Sequence, residues 1–233
     1  MTLLRPFLLL PLLLGGCAGL PDLSSWLREA PPAFGAAAAG QAGTPRALYL
    51  DMIAGLRQRG LHRAALAHLD EYERQHGATA ATTLMRGQSL LEIGQERAAV
   101  AAFSAIPEGP ERAAAQAGIG MALGRAGDWE GAASAFAEAV RREPTNARHV
   151  NNLGFALLRR GEAEEAEFRL RTAVELDPAS PEIRNNLAVL LLATNRRPQG
   201  EQMLASVPDP ALRATMRRVA AQIQQGIRPE RRT

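Results

Sequence analysis

A glycine, replaced once by asparagine, returns along this chain at an almost constant interval. The five positions are 34, 33, 34 and 34 residues apart. A leucine stands four residues before each position, a small residue five residues after it and a large apolar residue nine residues after it. Such a period indicates one supersecondary unit, which buries its apolar side by stacking on its neighbours. The recurring positions are Gly60, Gly94, Gly127, Gly161 and Asn195, the leucines Leu56, Leu90, Leu123, Leu157 and Leu191, the small residues Ala65, Ala99, Ala132, Ala166 and Gly200, and the large residues Leu69, Phe103, Phe136, Leu170 and Leu204.

The pattern resembles the tetratricopeptide repeat, a helix–turn–helix unit of 34 residues. Small residues let two helices approach closely, the turn glycine ends the first helix, and Pro144 and Pro178 stand at junctions between units. The resemblance implies an all-α tetratricopeptide-repeat solenoid of about five units, with a further helix over 211–225 as its end cap. The predicted repeat domain is 46–227, with units at 46–79, 80–112, 113–146, 147–180 and 181–209.

The composition favours helices and argues against a nucleic-acid partner. Aromatic residues make up 4% of the chain, whereas strands are enriched in aromatic and β-branched residues. Every one of the 27 basic residues is arginine, and 24 acidic residues leave a formal net charge of only +3. We therefore expect a mixed, solvated surface and no binding of nucleic acid.

The N-terminus resembles a bacterial lipoprotein signal. Arg5 is followed by an apolar run over 7–14, which is too short to span a bilayer, and "LGGC" then ends at Cys17. The resemblance implies that residues 1–16 are removed, that Cys17 is lipidated, and that 17–45 form a flexible tether rich in Ala, Gly and Pro. Because Ala18 rather than Asp follows Cys17, the resemblance implies an outer-membrane lipoprotein on the periplasmic face. The alternative is an ordinary signal peptide, or an apolar N-terminus with an incidental cysteine.

The chain offers few residues for catalysis or metal binding. Its histidines are His62, His68, His76 and His149, and no two of them are four residues apart. The stretch "GIGMALG" at 118–124 lacks the spacing of a nucleotide-binding loop, and Gly120 falls in the packing register of the repeat. We predict a protein that is not an enzyme, has no metal site or cofactor, and takes no small-molecule substrate.

The first helix of the 147–180 unit carries a polar stripe opposite its apolar side. At 100° per residue, Arg148, Asn152, Phe155 and Arg159 share this stripe, and Asn151 lies at its edge. In tetratricopeptide arrays, which the pattern resembles, that second side lines a concave groove. The predicted groove residues are Met121, Arg125, Arg148, Asn151, Asn152, Phe155, Arg159, Asn185, Asn186 and Val189.

Two asparagines recur in this stripe one unit apart. An asparagine amide both donates and accepts, so Asn152 and Asn186 could pair with the backbone of an extended peptide whatever its sequence. Alternatively, the same amides bridge neighbouring units by hydrogen bonds. The arginines of the stripe could add pairing with acidic groups. Beyond the repeats, six arginines against one acid over 211–233 form a basic end, either a docking surface or a solvated cap with a basic tail at 228–233.

The whole arrangement resembles the outer-membrane lipoproteins of tight-adherence (Flp-type) pilus assembly. The resemblance rests on the lipobox, the tether, the repeats and the run "VNNLGFALLRRGEAEEAE…AVELDP…NNLAVLLL". It implies a lipid-anchored scaffold whose partners are envelope proteins, such as a secretin or pilus assembly components. Lipoproteins of the pilotin type, which help a type IV pilus secretin to multimerise, are one alternative. An envelope adaptor for peptidoglycan enzymes or proteases is another.

Overall fold

The computed structural model describes residues 44–226, and this part of the chain is entirely helical. None of its helices is both long and apolar enough to cross a membrane. The predicted signal, the cysteine predicted to be lipidated, the predicted basic tail and nearly all of the predicted tether lie outside these residues. The helices are α1 (Pro45–Gln58), α2 (His62–His76), α3 (Ala80–Glu92), α4 (Glu96–Ser104), α5 (Arg112–Arg125), α6 (Trp129–Arg142), α7 (Ala147–Arg160), α8 (Ala163–Leu176), α9 (Pro181–Ala193), α10 (Arg197–Leu204) and α11 (Pro210–Gly226).

The first ten helices pack as five successive pairs, and α11 follows them. Four of the pairs turn at a glycine with φ between 74° and 92°, a conformation that a residue with a Cβ adopts only under strain. In the fifth pair the residue that follows α9, Thr194, has an extended backbone, so this helix ends differently from the other four. The prediction of an all-α solenoid of five units and a final helix is confirmed. The turn glycines are Gly60, Gly94, Gly127 and Gly161.

The repeated small and large residues form the contacts between helices. A Cβ added at Gly87 in α3 or at Gly118 in α5 would lie 2.5 Å from the ring of Phe103, so this ring is held between two bare helix backbones. Phe136 lies in the same way against Gly120. The large residue of each unit therefore fills the space between its own first helix and the next unit, which explains the strict spacing.

The last helix departs from the stacking order of the array. Each earlier first helix packs on the second helix of the preceding unit, as α5 does on α4 and α9 on α8. Helix α11 instead packs mainly on α9 and also contacts α7. Its buried residues Met216, Val219, Ala220 and Ile223 share one side of the helix and join the main hydrophobic core. The helix thus closes the apolar end of the solenoid.

Candidate functional site

The first helices of units two to five form one continuous row. Helix α3 contacts α5, α5 contacts α7, and α7 contacts α9. The predicted groove residues lie on this row, which we call the inner row (α3, α5, α7 and α9). A continuous surface built from several units is what a solenoid offers an extended partner.

The middle of the inner row is more buried than the sequence predicts. Met121, Phe155 and Val189, which stand six residues before their turn positions, are 3%, 2% and 0% exposed, and Asn152 is 6% exposed. We expected these side chains to face an open groove. That expectation of exposure is wrong, although whether these residues bind a partner stays a prediction.

Two packing contacts account for the burial of Asn152 and of the α7 and α9 part of the row. The position nine residues before the turn faces the second helix of the preceding unit, since Gly118 at this position lies against Phe103. Asn152 and Asn186 hold the same position in the next two units, so they lie where units pack on one another. In addition, α11 packs on α9 and contacts α7. At the two margins of the row, thirteen or two residues before a turn position, six residues are half-buried: Ala81, Ala114, Arg148, Glu182, Arg125 and Arg159.

The recurring asparagines connect two units directly. The Nδ2 atom of Asn186 donates to Oδ1 of Asn151 at 3.0 Å, and Nδ2 of Asn151 donates to Oδ1 of Asn152 at 3.3 Å. The bond across units therefore uses Asn151, although the sequence pattern pairs Asn152 with Asn186. This contact is the bridging role that we considered as the alternative to peptide binding. Within residues 44–226 no donor reaches Oδ1 of Asn186, which is buried. Asn185 is half-buried.

Arg125 is already engaged with the preceding unit. Its Nη2 atom donates to Oε1 of Glu92 at 3.0 Å, and Nη1 donates to the carbonyl of Leu91 at the end of α3. Its charge is therefore balanced inside the array. Arg148, at the other margin of the row, is half-buried.

Arg159 has a different environment, in which an aromatic ring replaces the acid. Its guanidinium carbon lies 4.4 Å from the centre of the Trp129 ring, within the range of a cation–π contact. Trp129 meets Phe155 edge to face, with ring centres 5.9 Å apart. Burial lowers the pKa of Arg159 from its ordinary value. The helical stripe did not reveal Trp129, because this residue starts a second helix; its signal in the sequence is that it is the only tryptophan within the repeats.

No group of three His, Cys, Asp or Glu side chains that could hold a metal ion occurs among residues 44–226. His149 is buried, with Nε2 3.2 Å from a carboxylate oxygen of Glu143. Its burial lowers its pKa even though Glu143 acts in the opposite direction. We assign this histidine to the packing between units.

Comparisons with known proteins agree with the fold. Two family models, both described as tetratricopeptide repeat, match residues 157–223 and 117–170. A tetratricopeptide-repeat protein of Thermus thermophilus is 22% identical, with a TM-score of 0.62 over 76% of this chain and 99% of its own. MamA from Desulfovibrio magneticus is 21% identical, with a TM-score of 0.59 over 70% and 92%. No curated protein sequence matches the chain significantly.

A third solved structure is YrrB, which is described as a tetratricopeptide-repeat protein with an unusual peptide-binding site. It is 19% identical, with a TM-score of 0.55 over 73% of this chain and 90% of its own. The helix pairs and these comparisons define residues 44–226 as a tetratricopeptide-repeat solenoid. Domains of this class bind protein partners and are generally non-catalytic scaffolds.

Proposed function

We propose that this chain is a non-enzymatic scaffold, anchored by lipid at the periplasmic face of the outer membrane, which binds a segment of another envelope protein. We further propose that it assists assembly of the secretion apparatus of a tight-adherence (Flp-type) pilus. The observation that carries the scaffold proposal is the inner row, a continuous surface of four helices with polar side chains at its margins. Such a surface suits an extended segment, which can contact several units at once.

The row combines groups that a protein segment requires. Arg148 and Arg159 at the margins are half-buried and provide charge, and Asn185 provides an amide. The buried asparagine bridge fixes the spacing of α7 and α9, so the binding positions on these helices are preorganised. YrrB, whose fold is similar, is described as having a peptide-binding site. This description supports peptide binding as the mode of action proposed here.

The anchor proposal rests on the sequence around Cys17. An acyl chain contributes about 0.8 kcal/mol per buried CH₂ group, so the several chains of a bacterial lipoprotein would hold the protein stably at the membrane. The test is membrane fractionation of the Cys17→Ser variant and of globomycin-treated cells. We expect Cys17→Ser to leave the membrane fraction and globomycin to block processing. Unchanged processing and fractionation would exclude the anchor.

The role in pilus assembly is tested by deleting the gene and restoring it with either wild-type protein or the Cys17→Ser variant. We expect the deletion to remove surface pili and the wild type to restore them, whereas Cys17→Ser should restore them poorly. Pili that assemble normally in the deletion strain would refute the pilus role. The same strains distinguish the alternatives: loss of secretin multimers favours a pilotin-like function, and mislocalised peptidoglycan enzymes or proteases favour an envelope adaptor.

A further inference from the structure

Two arginines hold the same position in successive units but meet different neighbours. Arg125 and Arg159 each stand two residues before a turn glycine. Arg125 reaches back to the preceding unit and pairs with Glu92, the residue at the same position there. For Arg159 the corresponding residue of the preceding unit is Arg125 itself. The repeat therefore places an acid beside Arg125, whereas it places an arginine at the corresponding position for Arg159.

Two acids close to the end of α7, Glu130 and Glu162, pair with another arginine. Arg160 points to the other side of α7, where its Nη2 atom lies 2.9 Å from Glu130 and 2.8 Å from Glu162. The side chain of Arg159 forms no hydrogen bond or ion pair with any residue of the described range. Within this range its positive charge is therefore unpaired, and burial partly removes it from water.

Trp129 holds this guanidinium in a defined orientation. The ring rests against α5, where a Cβ at Gly124 would lie only 3.0 Å from it, and Phe155 supports it from α7. The guanidinium carbon lies 4.4 Å from the centre of this ring, and within residues 44–226 no acceptor pairs with the N–H donors of the guanidinium. A planar donor edge of this kind matches the two oxygens of a carboxylate.

We infer that Arg159 and Trp129 form a binding site for a carboxylate, supplied by an Asp or Glu side chain of the protein segment that occupies the inner row. This inference rests on the proposed scaffold function and specifies the chemistry of its partner. Trp129 positions the guanidinium, and Arg159 donates two parallel N–H···O hydrogen bonds to the acid. Glu92 neutralises Arg125, so the local selectivity for an acid comes from Arg159.

The direct test uses defined peptides and the full-length protein in detergent. The probes are acetyl-Ala-Ala-Glu-Ala-Ala-amide and the same peptide with Gln, titrated while NMR follows the indole N–H of Trp129 and the Nε–H of Arg159. Because a hydrogen bond between charged groups is stronger than a neutral one, we expect the Glu peptide to bind roughly tenfold more tightly or better. Equal shifts from both peptides would refute the site.

Variants separate this site from general electrostatic attraction. We expect Arg159→Gln to abolish the preference for the Glu peptide and Arg159→Lys, which keeps the charge, to retain only a weaker preference. The matched control is Arg141→Gln on α6, an exposed arginine paired with Glu138 at 2.6 Å, which should leave the titration unchanged. A loss of preference in Arg141→Gln as large as in Arg159→Gln would contradict the inference. Thermal melting of each variant checks that it is folded.

Crosslinking in cells and peptide titration report separately on the inner row and on the carboxylate site. If the inner row binds no partner, crosslinkers on it capture nothing in cells, whereas the peptide titration still reports on the carboxylate site. If the row binds a partner without using this site, crosslinkers on the row of the Arg159→Gln variant capture the partner as well as those on the wild type do. The Glu and Gln peptides then bind with equal affinity. That second result would overturn the inference and leave the scaffold proposal intact.

Discussion

Replacing Gly118 by alanine should destabilise the protein, although alanine is the better helix former. In a helix interior alanine is favoured over glycine by about 1 kcal/mol. At Gly118, however, the new Cβ would lie 2.5 Å from the Phe103 ring, far inside ordinary contact distance. The ring is fully buried and has Gly87 on its other side at the same distance, so it cannot move away.

The expected magnitude follows from these two opposing effects. Overpacking of a core costs about 1–3 kcal/mol, and a ring held on both sides belongs near the upper end. Subtracting the helix preference leaves a net loss of about 2 kcal/mol in the free energy of unfolding. The matched control is Gly55→Ala in α1, where an added Cβ meets no atom within 4 Å. This control should gain up to about 1 kcal/mol.

The assay is urea unfolding followed by circular dichroism, with thermal melting in parallel. A loss of about 2 kcal/mol lowers the Tm by roughly 4–8 °C for a chain of this size. In a Phe103→Leu background the ring is gone, so Gly118→Ala should become neutral or stabilising. If Gly118→Ala stabilises the wild-type chain as much as Gly55→Ala does, the account of the packing between units is wrong.

Three further predictions concern the asparagine bridge, the buried histidine and the last helix. A double-mutant cycle of Asn151→Ala and Asn186→Ala, measured by urea unfolding, should show a coupling free energy of about 0.5–1.5 kcal/mol, the value of one hydrogen bond. If the losses of unfolding free energy in the two single variants simply add, the bridge does not stabilise the fold. The pKa of His149 is lowered in the folded state, so the unfolded chain binds more protons and the free energy of unfolding should fall as the pH drops below about 6.5. In His149→Gln the free energy of unfolding should change less between pH 7.5 and 5.5 than in the wild type. An equal change in both proteins would contradict this prediction. Ile223→Ala should lower the free energy of unfolding by about 2–4 kcal/mol. It should increase hydrogen exchange in α9 but not in α1 to α4, because each unit of a solenoid stabilises only the units next to it. An equal increase of hydrogen exchange in all helices would contradict this prediction.

The sequence predicts the fold well because the repeat encodes its own contacts. Ala99 and Phe103 are fully buried where helices meet. They are the small residue five positions after a turn glycine and the large residue nine positions after it. The turn glycines likewise adopt the backbone conformation that their position requires. These features depend on local spacing, so they can be read from one chain.

The candidate site is harder to predict because it depends on which element lies opposite each side chain. A helical projection places Asn152 away from the apolar side of α7, but it does not show that this direction leads to the preceding unit. Gly118, at the same position one unit earlier, was a sequence signal of that close approach. The packing of α11 on α9 lies outside the repeat period. Trp129, which completes the environment of Arg159, lies on a helix that the projection did not include.

The central claim is that the inner row binds a protein segment, and crosslinking in cells tests it most directly. A photoreactive residue replaces Ala114, a half-exposed position on the margin of the row, or Ser134, an exposed position on α6 away from it. We predict that the Ala114 position captures one defined envelope protein and that the Ser134 position captures none of it. Equal capture at both positions, or no capture from any margin position of the row, would contradict the claim.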